Sequence, residues 1–177
     1  MRLFVALRPP PEALAHLRSW PGELEGLRRG RSGQEHVTLA FLGEVADADA
    51  VTARLQNRLG GLPPVAPRLR LQGAGSFGRV VWLGLDGDVE ALRALHATVA
   101  AALRDAGRPD DPRPWTPHLT VGSGQLPPAL QSYAGPAAPW QDVALVHSTS
   151  GPGGVQHAAV RQWTLPVVGS TSGDVPP

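Results

Sequence analysis

The chain has no cysteine and no lysine among its 177 residues. Without cysteine there is no disulfide, no zinc ribbon, no iron–sulfur cluster and no thiol nucleophile. Without lysine there is no Schiff base and no phosphate-cradling P-loop lysine; all 16 cationic side chains are arginines. No apolar run approaches the ~18 residues of a membrane-spanning helix. The opening MRLFVALRPPPEAL is broken too early, by Arg8 and Pro9, Pro10 and Pro11, to act as a signal peptide. A formal net charge of +1 provides no field that would draw long nucleic acid. Metal-binding patterns are missing as well, with no HExxH, no His-x-His and no clustered carboxylate near His36 or His118. These absences point to a soluble cytoplasmic globular protein with no membrane partner, no metal and no cofactor. The weak charge and the lack of heptads favour a monomer.

What the chain does contain is an alternation of strand-like and helix-like segments. RLFVALR (2–8) reads as a strand, and the prolines at 9–11 then open a helix. Residues 35–43 form a strand closed by Gly43. A helix over 47–59 starts at an Asp47 or Asp49 cap and stops at Gly60-Gly61. Strands at 68–72 and 79–85 flank GAGSFG, read as a turn. That glycine stretch lacks the following helix and lysine of a P-loop. The strongest helix is 88–106, where Asp88 would cap and Leu92, Leu95, Val99 and Leu103 make an apolar stripe. Strands at 116–122, 142–148 and 155–165 follow, and the Gly, Ser and Pro residues from 169 read as a disordered tail. The order predicts an α+β fold in which residues 1–168 form a single bilobal unit. Arg28, Arg29 and Arg31 read as a solvated loop, His16 as a solvated helix residue, His96 as a packing or surface residue, and Trp82, Trp115 and Trp163 as core.

The chemistry lies in a pattern that occurs twice, His36-Val37-Thr38-Leu39 and His118-Leu119-Thr120-Val121. In a strand, side chains alternate between faces, so each His and its Thr point the same way while the residue between points the other way. Each copy therefore presents an imidazole beside a hydroxyl. Imidazole exchanges protons near neutrality. Two of them on opposite sides of a phosphorus atom could activate water and protonate a leaving oxygen, while the hydroxyls stabilise the non-bridging oxygens. Glu35 alternates to the other face from His36 and is a poor partner for it.

Taken together, RLFVAL, HVTLAFLGEV, GAGSFGRVVWLGL, PWTPHLTVG and the GPGG…W-x-L ending resemble the two-histidine phosphoesterase superfamily. The resemblance is to its bacterial RNA 2',3'-cyclic phosphodiesterase branch, also labelled 2'-5' RNA ligase, and it covers about residues 1–166. It implies a bilobal α+β fold in which two antiparallel sheets flank a central cleft and helices cover the outer faces. It implies hydrolysis of a 2',3'-cyclic phosphate on RNA 3' ends or small nucleotides to a 2'-phosphate, together with reversible 2'-5' joining. It makes His36 the proton donor and His118 the base, with Thr38 and Thr120 binding phosphate; the residues themselves leave the two histidine roles interchangeable.

Phe77, His147 and His157 are further candidates for substrate contact, Phe77 as a ring on which a base could stack. Three departures from relatives stand out: Ser123 where an arginine is common, His157 where an aromatic is common, and a short RRGRSGQEH approach to the first motif. They motivate two competitors, a catalytically weakened module that binds nucleotides or RNA ends, and a phosphodiesterase diverted to another cyclic or 2'-5' substrate.

Overall fold

The computed structural model describes residues 1–168 except Glu23, Leu62, Asp110 and Gly153. The tail expected from 169 lies outside the described residues. Twelve elements organise the rest: β1 (Arg2–Arg8), α1 (Pro11–Ser19), β2 (Leu27–Arg29), β3 (Val37–Glu44), α2 (Ala48–Gln56), β4 (Arg68–Phe77), β5 (Val80–Gly87), α3 (Val89–Asp105), β6 (Leu119–Gly124), β7 (Ala138–Pro139), β8 (Asp142–Gly151) and β9 (Gly154–Thr164).

Local chemistry explains the helices. Pro11 sits in the first turn of α1, where a missing N–H costs nothing. The Asp47 carboxylate accepts from the Ala50 amide at 2.9 Å and caps α2, which then runs into a π turn over Asn57–Gly61 instead of stopping at the glycine pair. α3 buries Leu92, Leu95, Val99 and Leu103 along one stripe, as its periodicity demands. Asp88 precedes α3 without capping it; its carboxylate takes the Arg68 amide instead.

The strands form one antiparallel sheet in the order β7-β4-β5-β6-β3-β1-β8-β9, with β2 beside β6. The two halves of this sheet, β7-β4-β5-β6 and β3-β1-β8-β9, meet at a single residue pair, Val37 with Leu119. The two expected sheets are thus halves of one sheet, joined at the middle residue of each motif. Leu3, Val5, Leu7, Val37, Leu39, Leu83, Leu119, Val143 and Leu145 point to one face and share a core with α2 and α3. Among the described residues a second, small cluster of buried side chains, Phe4, Ala6, Ala144 and Val146, packs on the other face. Pleat alternation leaves that second face to the motif side chains.

Four further expectations change. Only the last residue of GAGSFG, Gly78 at φ +59°, lies in the turn; residues 73–77 are the second half of β4, bulged between Gln72 and Ala74, with Gly73 at φ +66°. A Cβ on Gly75 would come within 2.3 Å of the Trp82 ring, so that glycine is a seat for the indole across the ladder. Trp82 accordingly lies half-buried on the open face, not in the core. Arg28 and Arg29 belong to β2, which completes the edge of β6 through Arg28↔Ser123 and Arg29↔Gly122. His16 is not merely solvated: its Nδ1 lies 2.9 Å from the hydroxyl of buried Tyr133.

Candidate active site

Each motif histidine is set by its own backbone in the same way. His36 Nδ1 is 2.7 Å from the Gln34 carbonyl, and His118 Nδ1 is 2.8 Å from the Thr116 carbonyl. A carbonyl can only accept, so both rings donate Nδ1–H and the neutral form keeps its lone pair on Nε2. Neither Nε2 has a hydrogen-bond partner among the described residues, and neither is a sealed, unsatisfied atom. Both are open to take or give a proton.

The pairing between halves brings the two arms together. Val37 lies opposite Leu119 in antiparallel register, and both are fully buried against the helices. One step to either side, His36 therefore faces Thr120 and Thr38 faces His118. All four side chains share the open face, and the two imidazoles stand on a diagonal, at roughly the 7–8 Å spacing of i, j±2 neighbours. A second tie fixes the junction. The Trp115 indole N–H donates to the Thr38 carbonyl at 2.9 Å, and His96 of α3 stacks on that indole with centroids 4.0 Å apart. The segment leading into the second motif is thereby anchored to the strand of the first.

The surroundings of the two rings differ. His36 packs against Phe4, centroids 4.8 Å, and edge-on to His157 at 5.3 Å. His157 stands on β9, three strand spacings from β3, or about 14 Å in a flat sheet; the close approach shows how far this half curls. Burial lowers the proton affinity of His36, the Gln34 carbonyl opposes that, and positive charge at His157, His118 or Arg8 adds to the lowering. Glu35 does not counter it, because its carboxylate takes the Gly33 amide at 2.6 Å and meets Arg18 at 3.4 Å. His118 is walled by Phe77 at 5.1 Å and Trp82 at 6.0 Å.

Two hollows open beside His36. The smaller, ≈ 60 Å³, runs over Phe4, Ala6, Ala144 and Ala159 to Arg8. The larger, ≈ 200 Å³, is lined by His36, Thr120 and His157 together with Leu17, Leu24, Leu27 and Val121. The structure thus gathers His36, Thr38, His118, Thr120, Phe77 and His157 on one face. His147 stays apart: it pairs with Leu3 on β8 and shares the alternation of Val143 and Leu145 toward the helix side. Among the described residues, no group of three or more His, Asp or Glu could hold a metal ion. Nor is any helix there long and apolar enough to cross a membrane. Sequence reading missed Trp82 and Trp115 as site neighbours. The WTPH spacing before the second motif was the only available signal, and it says nothing of a partner 77 positions away.

A family model described as the 2'-5' RNA ligase superfamily matches residues 5–146. The chain belongs to the 2'-5' RNA ligase superfamily. The resemblance seen in its motifs and the α+β fold expected from them both hold. Among its superfamily relatives, an RNA 2',3'-cyclic phosphodiesterase of Aeropyrum pernix is 33% identical over 101 residues, a stretch that is 52% of this chain and 56% of that protein. The structure of TT0787 from Thermus thermophilus aligns with a TM-score of 0.72 at 27% identity, covering 95% of this chain and all of that one. E. coli LigT complexed with 3'-AMP aligns at 0.69 and 28% identity, over 93% and 97% of the two chains. The superfamily match contains both motifs and Trp115; His157 lies beyond it.

Proposed function

We propose that this protein is a cyclic phosphodiesterase that opens a 2',3'-cyclic phosphate, on an RNA 3' end or a small nucleotide, to a 2'-phosphate. The observation that carries the reading is the Val37–Leu119 pair, whose register sets the imidazole of each arm across from the hydroxyl of the other. The named activity of the Aeropyrum pernix relative and the 3'-AMP held by LigT favour the same substrate class.

In this reading His118 takes a proton from water as the water oxygen attacks phosphorus. The P–O3' bond breaks, and the departing O3' takes the proton held on His36 Nε2. A ring whose burial weakens its hold on a proton is a ready donor once charged. Thr38 and Thr120 donate to the non-bridging oxygens as negative charge builds on them. Replacing water by an RNA 5'-hydroxyl gives a 2'-5' linkage by the same steps, and the return reaction runs them backward.

The test is turnover of adenosine 2',3'-cyclic phosphate with chromatographic separation of the products. Adenosine 2'-phosphate as sole product, formed equally well in EDTA, is the expected outcome, since both proton transfers are assigned to side chains. Adenosine 3'-phosphate, or activity lost to chelation and restored by zinc or manganese, would overturn the mechanism. Tight nucleotide binding with no product would leave a binding module of the same fold.

A further inference from the structure

His157 is the imidazole to which that mechanism gives no task. It stands on β9 opposite Ser148, with its ring 5.3 Å from His36 and 4.9 Å from Phe4. It lines both hollows that His36 lines. Its Nδ1 is buried without a hydrogen-bond partner, whereas its Nε2 is neither sealed nor bonded among the described residues. A nitrogen enclosed in this way tolerates a lone pair better than an N–H, because a buried donor with no acceptor loses its hydration for nothing. The neutral ring therefore carries its proton on Nε2, the opposite tautomer to His36 and His118. A second proton would create the orphaned N–H and set a cation against His36. The charged and titratable groups that line the two hollows with it are His36 before β3, Arg8 on β1, Arg18 on α1, Glu35 in the loop before His36, Arg29 on β2 and Arg31 just after it. Glu35 is already taken by Arg18 and the Gly33 amide, and the other charged groups lining the hollows are arginines, so no carboxylate among these described residues is left to stabilise a proton on Nδ1. Burial lowers the proton affinity of the ring further.

We propose that His157 is a substrate-binding residue, working as a neutral ring whose Nε2–H donates to an oxygen of the phosphate group held at His36. The ligand class rests on the phosphodiesterase reading above, whereas the tautomer and the open donor do not. The arrangement adds a fixed donor from a third strand to the two motif rings.

The test compares wild type with His157→Phe, which keeps a ring against Phe4 and His36 but has no N–H, and His157→Gln, which restores a donor. Adenosine 2'-phosphate binding is measured by calorimetry, and hydrolysis of adenosine 2',3'-cyclic phosphate is followed across pH. In His157→Phe, binding should weaken about tenfold, KM should rise in step, the loss should fall on KM more than on kcat, and the acid limb of kcat/KM should stay in place. His157→Gln should recover most of the affinity. Unchanged binding in the Phe variant, a displaced acid limb, or a Gln variant no better than Phe would each overturn the proposal. If wild type binds adenosine 2'-phosphate but hydrolyses nothing, the catalytic reading fails while the binding comparison still decides the role of His157. A wild type that does not bind the nucleotide overturns both.

Discussion

The two His-x-Thr arms are locally alike and environmentally different. In each, Nδ1 is held by the carbonyl two residues back, and the intervening aliphatic is fully buried. The first arm lies in the curled half of the sheet, where Phe4 and His157 close around His36 and strip it of water. The second lies beside the β4–β5 hairpin, where partly exposed Phe77 and Trp82 leave His118 open to solvent on one side. Identical backbone capture sets the same tautomer in both, and the unequal burial is what the proposed mechanism uses to give the two rings different tasks. On the proposed mechanism, a near-symmetric pair of motifs, His-Val-Thr-Leu and His-Leu-Thr-Val, supplies a donor on one side and a water-facing base on the other.

That comparison breaks most visibly at the histidines. His36→Ala and His118→Ala should each lower kcat by at least ~10²-fold. If the rings act as one unit, the double variant should lose little more than either single one. Steady-state kinetics on a cyclic mononucleotide decides this, and multiplicative losses would show two independent contributions. Thr38→Val and Thr120→Val should cost about tenfold each, the scale of one hydrogen bond to a charged group. A loss confined to one arm would show that phosphate leans to that side.

The junction comes next. Trp115→Phe keeps the stack on His96 but removes the donor to the Thr38 carbonyl, and should lower stability by about 1 kcal/mol in urea unfolding. Activity should fall with it only a few-fold. Full activity with unchanged stability would mean that the arms hold their spacing through Val37 and Leu119 alone.

The smallest effect is the pH dependence of His36. Its folded-state proton affinity lies below the ordinary imidazole value, so the unfolded chain takes up the proton first. The stability from the neutral buried ring is present above that ordinary value. It is lost as pH falls from there through the lower folded-state value, and NMR titration of the ring should show the downward shift directly. A ring titrating at or above the ordinary value would erase the burial difference between the arms.

Much of this was legible in one dimension because it depends on near neighbours. Strand β1 and the Asp47 cap follow from pattern and short-range hydrogen bonding, and the long α3 stripe follows from periodicity. Reading GAGSFG as a turn failed because a glycine run signals freedom without saying whether it serves a bend or a neighbouring ring. Here Gly75 makes room for Trp82, and that ring arrives from another strand. β2 was invisible for a related reason. Three residues, two of them arginines, carry no strand signal, and their ladder partner is almost a hundred positions away.

From sequence alone, each His and its Thr had to share a face, since alternation along an extended backbone depends on nothing beyond the chain itself. Which hydroxyl faces which imidazole, and why His157 joins the group while His147 turns away, was decided only in three dimensions. Register, sheet curl and burial are set by the packing of many distant residues at once, and two histidines ten positions apart in similar strands look alike until that packing puts one on each face.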